Sequence, residues 1–72
     1  MNESVFTITD RKSLGVYIKH EREQQGISVR KMAELAGIQP STVQNVENGA
    51  FTPRLDVVQH ILSALGKRLT IE

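Results

Sequence analysis

The sequence predicts an all-α core of four helices, with a short strand signal at each end of a single 72-residue domain. Three observations predict it. Leu55, Val58, Ile61, Leu62 and Leu65 fall on one face at helical spacing, the clearest periodicity in the chain. Gly26, Gly37, Gly49 and Gly66 each stand where a helical pattern stops. The two ends, 4–9 and 67–72, instead alternate as short strands do.

The first element is SVFTIT at 4–9, where Phe6 and Ile8 alternate against Val5, Thr7 and Thr9. No second strand follows it through a tight turn, so its partner must be distant in sequence or on another chain. Thr9 or Asp10 can cap the next element by accepting the free amides of a first helical turn. Helix one is expected over about 12–25, with Leu14, Tyr17 and Ile18 inward and a polar remainder before Gly26. Gly15 inside it costs about 1 kcal/mol against alanine, so a close helix contact is expected there.

Ser28 caps helix two, expected over 29–36, with Met32, Ala33 and Ala36 as its apolar stripe and Leu35 widening it. Arg30, Lys31 and Glu34 face outward. Gly37 supplies the positive φ of the turn, and Ile38 plugs the angle that follows. Pro40 suits the first turn of helix three, over 40–47, because its missing N–H is no loss there. Val43 and Val46 point inward, while Ser41, Thr42, Gln44 and Asn45 form an outward face. After Gly49 an irregular AFTPR segment tucks Phe51 against the core, and Pro53 ends the loop. Helix four is expected over 55–65. The closing KRLTIE puts Leu69 and Ile71 on one side and Arg68, Thr70 and Glu72 on the other.

Composition narrows the function classes without choosing one. A hydrophobic content of 39% suits a small globular domain, and a net charge of +1 neither demands nor excludes nucleic acid. The chain has no cysteine, so disulfides and zinc fingers are out, which fits a reducing cytosol. No apolar run approaches the roughly 20 residues that span a bilayer. The N-terminus lacks a basic then apolar leader pattern, so export is not expected and a cytoplasmic site is. His20 and His60 are the only histidines, and neither sits in a motif with a nucleophile or carboxylate ligand. No metal, no cofactor and no enzymatic activity are expected.

The stretch from Ser28 to Gly49 organises the rest. Two short helices joined through a glycine turn are the geometry that presents one helix to the DNA major groove. The outward face of helix three carries no charge. Glutamine and asparagine can bond adenine through two atoms, and serine or threonine can meet several bases.

Residues 14–66 resemble the Cro/C1-type, phage-repressor-like helix-turn-helix family. Leu14, Ile18, Arg22, GIS at 26–28, MAELAGI at 32–38, STV at 41–43, VENG at 46–49, Pro53 and LSALG at 62–66 carry the match. The resemblance implies a lambda-repressor-like fold whose helix three is the recognition helix. It implies base contacts from Gln39, Pro40, Ser41, Thr42, Gln44 and Asn45. It also implies phosphate contacts from Arg22, Ser28, Val29, Arg30, Asn48, Thr52 and Arg54. Arg22 and Glu47 match a family pair, which is either an ordinary ion pair or an ion pair that also holds a phosphate. Two positions depart from the family. Val29 replaces a frequent glutamine, and Pro40 replaces a frequent long polar base reader.

Four helices plus terminal strands look like the HipB-type antitoxins, whose C-terminal strand pairs across a dimer. The expected partners are therefore double-stranded DNA and a second copy through Phe6, Ile8, Leu69 and Ile71, with a HipA-like toxin kinase if the chain is an antitoxin; a free-standing autoregulator or a phage or plasmid repressor fits the sequence equally well. An isolated short strand is marginal in water, which independently favours pairing between two chains. The expected function is a homodimeric repressor on an inverted-repeat operator. The alternative is an interaction adaptor or toxin-neutralising module with little DNA binding of its own.

Overall fold

The first two helices of the structure begin where a polar side chain satisfies free backbone N–H groups, whereas the last two begin without a side-chain cap. The computed structural model describes residues 8–69. It contains α1 (Arg11–Gln24), α2 (Val29–Ala36), α3 (Pro40–Glu47) and α4 (Leu55–Ala64). Asp10 and Ser13 form a reciprocal capping box at the start of α1: the Ser13 N–H donates to the Asp10 carboxylate at 2.8 Å, and the Asp10 N–H donates to the Ser13 hydroxyl at 3.1 Å. Ser28 caps α2 by accepting the Lys31 N–H at 3.0 Å. At the other end of α2, Gly37 takes φ 70°, and the N–H groups of Ile38 and Gly37 return to the carbonyls of Ala33 and Glu34. That turn sets the angle between α2 and α3.

The capping box makes α1 sensitive to acid. The Ser13 backbone amide, followed by the Ser13 hydroxyl, holds the Asp10 carboxyl below its usual pKa. A depressed pKa contributes stability above the unfolded value and loses it as pH falls through the folded one. The wild-type chain should therefore lose melting temperature below about pH 4, where a free carboxylate protonates. Asp10→Asn keeps a capping oxygen and should show a shallower acid loss over the same range; thermal melts of both proteins from neutral to acid pH check this.

Ile18, Met32, Ala33, Ala36, Val43, Val46, Ile61 and Leu65 form the core, with Leu14, Tyr17, Ile27, Val29, Ile38, Val57 and Ala64 packed around it. Helix α2 packs on both α3 and α4, and α1 packs on α3. Gly15 accounts for the α1–α3 approach. A Cβ there would meet the backbone carbonyls of Val46 and Glu47, the latter oxygen at 2.5 Å. The helix-weakening glycine is the condition for that contact.

The structure corrects the periphery of the sequence reading. No strand occurs among the described residues: Ile8, Thr9 and 67–69 are irregular. A lone strand has no partner to bond within one chain. The rest of both strand segments, Phe6 and Ile71 included, lies outside the described residues. Ile8 and Leu69 are exposed. Leu35 is also exposed, because 100° per residue carries it about 110° from the middle of the Met32–Ala33–Ala36 stripe. Phe51 and Leu55 stand partly in solvent rather than in the core. Both sit at the loop-to-α4 junction.

Candidate nucleic-acid interface

Helix α3 is held by its inner face alone. Val43 and Val46 are fully buried, while Gln39, Pro40, Ser41, Gln44 and Asn45 are exposed and Thr42 is half-buried. The core grips alternate turns of the helix and leaves its polar side in the open. Pro40 stands at the first helical position, where it fixes φ without removing a useful donor. At the far end the N–H groups of Asn48, Gly49 and Ala50 return to the carbonyls of Gln44, Val46 and Asn45. The C-terminus of α3 is therefore closed by backbone.

Arg22 and Glu47 tie α1 to that end. Arg22 Nε and Nη2 donate to the two Glu47 carboxylate oxygens at 2.7 and 3.2 Å, and Nη1 donates to the Ile27 carbonyl at 2.8 Å. The two side chains are only 11% and 5% exposed. Glu47, bonded through both oxygens, raises the Arg22 pKa and keeps the guanidinium charged. Three Arg22 N–H bonds are spent inside the protein, so its first role is to lock three segments together: α1, the α1–α2 loop and α3.

Beside this pair lies an open polar cleft of about 410 Å³ lined by Lys19, Arg22, Val29, Gln44, Asn45, Glu47 and Asn48. It gathers two residues assigned to bases, Gln44 and Asn45, and three assigned to phosphate, Arg22, Val29 and Asn48. Gln39, Pro40, Ser41, Thr42, Ser28 and Arg30 do not line it. Arg30 and Ser28 are exposed at the start of α2. Thr52 lies elsewhere, in an apolar groove with Ile8, Leu14, Pro53 and Val58. Arg54 is exposed ahead of α4 and pairs with Asp56 at 3.4 Å. Lys19 is the cleft residue that the sequence reading missed. Its signal was its spacing: Lys19 follows Gly15 by four and precedes Arg22 by three, so all three share one face of α1.

An open, uncharged helix face flanked by cations, on the second helix of a glycine-turned pair, defines a helix-turn-helix nucleic-acid-binding module. Comparison with known proteins agrees: residues 18–71 match the helix-turn-helix family model, and the chain belongs to this Cro/C1-type family. It is 32% identical over 56 residues to the HTH-type transcriptional regulator PuuR of Escherichia coli, covering 78% of this chain and 30% of that regulator. An uncharacterized HTH-type transcriptional regulator of Haemophilus influenzae is 34% identical over 50 residues, 69% of this chain and 51% of that one. The chain thus spans a third to a half of the length of these curated relatives.

Two solved structures share the fold. The clp gene regulator ClgR of Corynebacterium glutamicum superposes with TM-score 0.77 at 24% identity, covering 81% of this chain and 62% of that one. A chain of a toxin–antitoxin module from Streptococcus pneumoniae gives TM-score 0.70 at 33% identity, covering 82% and 70%. The family is one of transcriptional regulators that are typically not enzymes. No helix among the described residues is long and apolar enough to cross a membrane.

Proposed function

We propose that this chain binds a specific double-stranded operator as a homodimer and represses transcription in the cytoplasm. The observation that carries the reading is the exposed, uncharged polar face of α3, anchored from behind by Val43 and Val46. With its side chains an α-helix is about 10–12 Å across, which fits the roughly 12 Å width of the major groove. Gln39, Ser41, Gln44 and Asn45 read base edges there. Thr42 is half-buried and contributes through its methyl or hydroxyl edge, and Pro40 contributes apolar contact only. Phosphates are met by Ser28, Val29 and Arg30 at the start of α2 through backbone N–H and the Arg30 guanidinium, and by Asn48, Thr52 and Arg54 after α3. Arg22 has N–H groups left over after its three internal bonds.

A single copy with one neutral reading helix would bind weakly, and two copies held in register would not. The two recognition helices then enter successive major grooves, with half-sites about 10 bp apart or a multiple of it. Exposed Ile8 and Leu69 are apolar groups available to such a dimer. The likeness to a chain of a toxin–antitoxin module supports a second role on the same scaffold: binding a toxin protein through a face other than α3.

Two substitutions separate reading from positioning. Gln44→Ala should weaken the specific site by about 1–3 kcal/mol and leave random DNA nearly unchanged. Arg54→Ala should weaken both alike and flatten the salt dependence. Binding titrations on both DNAs check this; equal losses for Gln44→Ala on the two DNAs would contradict its role. An adaptor without DNA binding predicts no specific gel shift for the wild-type chain.

A further inference from the structure

We infer that Lys19 on α1 anchors a DNA backbone phosphate in the cleft it shares with Gln44, Asn45 and Asn48. The inference rests on the DNA-binding reading above and adds a residue to it. Of the two cations that line the cleft, Arg22 is committed to Glu47 through a largely buried pair. Lys19 is exposed and its side chain has no ion pair or hydrogen bond among the described residues, yet it lines the cleft.

Two groups in the cleft could oppose an anion, and both are answered. The Glu47 carboxylate is neutralised by Arg22 through both oxygens. The final carbonyls of α3 are occupied by the N–H groups of Asn48, Gly49 and Ala50, with the Glu47 carbonyl turned toward Gly15. Val29 closes another wall with methyl groups and offers no side-chain donor. Lys19 supplies the positive charge, and the exposed amides of Gln44, Asn45 and Asn48 supply neutral donors around it. A phosphate seated there lies beside the base-reading end of α3, so it fixes the register of the helix in the groove.

The test titrates the full chain, wild type and variants, on its selected DNA site and on random DNA across about 50 mM to 1 M salt. Lys19→Gln should reduce the salt slope by about 0.9 per chain bound. It should bind roughly tenfold more weakly at about 50 mM salt, with the gap closing toward 1 M. Lys19→Arg should restore the slope, and all three proteins should melt alike. A Lys19→Gln slope equal to wild type on both DNAs overturns the inference. So does a variant that melts lower while its slope is unchanged, because Lys19 would then serve only the fold. If wild type shows no preference for any site, operator reading fails separately, since the slope on random DNA still reports on Lys19. Wild-type protein that binds neither DNA overturns both.

Discussion

Arg22→Met should destabilise the chain by about 3–5 kcal/mol, because it leaves the Glu47 carboxylate buried without its partner. The substitution keeps the length of the aliphatic stem and removes the charge. Glu47 has a side chain 5% exposed, so water cannot replace the two guanidinium bonds it loses. The Ile27 carbonyl loses its Nη1 donor in the same step, which frees the α1–α2 loop. For a domain this small, a loss of about 3 kcal/mol or more lowers the melting temperature by ~12 °C or more.

Replacing both partners separates the desolvation cost from the bond itself. Arg22→Met with Glu47→Leu should regain most of the single-variant loss, because an apolar pair of similar volume needs no compensating charge. Glu47 raises the pKa of Arg22, so the arginine's contribution is complete at every pH below the usual arginine range and fades only above it. The Arg22→Met deficit should therefore persist unchanged in alkaline buffer up to about pH 9, well short of that range. Thermal melts of the two singles and the double at neutral and alkaline pH read all of this. A double variant no better than Arg22→Met would show that the loss comes from packing rather than from the stranded carboxylate.

Gly15→Ala should also destabilise the chain, although alanine is favoured over glycine inside a helix by about 1 kcal/mol. The new Cβ would point into the carbonyls of Val46 and Glu47, and backbone cannot rotate away as a side chain can. Relieving that overlap moves α1 off α3, at a cost of about 1–3 kcal/mol for added volume in a packed site. The upper end applies here and outweighs the propensity gain. Gly15→Val adds β-branching and should cost more. Because the displaced atoms belong to Glu47, Gly15→Ala and Arg22→Met should couple rather than add. Gly15→Ala melting at or above wild type would contradict the close α1–α3 contact.

Where one helix face or one turn carried the signal, the sequence was sufficient. The α4 periodicity, the Ser28 cap, the Gly37 turn and the Val43–Val46 pair all lie within a few residues of the features they specify. Gly15 was informative for the same reason: an interior glycine is a local cost that demands a local cause. Leu35 is apolar by type, but its angle around α2, not its type, decides its exposure. Phe51 and Leu55 are exposed: periodicity marks a face but not whether a neighbour covers its end.

The terminal segments alternate as strands do, but alternation alone does not supply a partner strand. Residues 67–69 show no ladder within the described structure. Lys19 was legible only after α1 was known to cross the C-terminal end of α3. Its spacing from Gly15 and Arg22 was visible, but the thing it faced was not. The base and phosphate assignments came from resemblance at matching positions. The structure adds their exposure: α3 offers Gln39, Ser41, Gln44 and Asn45 to solvent, while Arg22 is largely spent on Glu47 and Ile27.

The central claim is that two copies of α3 read an inverted repeat. Selection of bound fragments from a random double-stranded DNA pool by the full chain tests it most directly. Two copies of α3 on an inverted repeat should enrich one palindromic motif with half-sites about 10 bp apart, or a multiple of that spacing. Recovery of a single unrepeated half-site, or no enrichment over the starting pool, would contradict it.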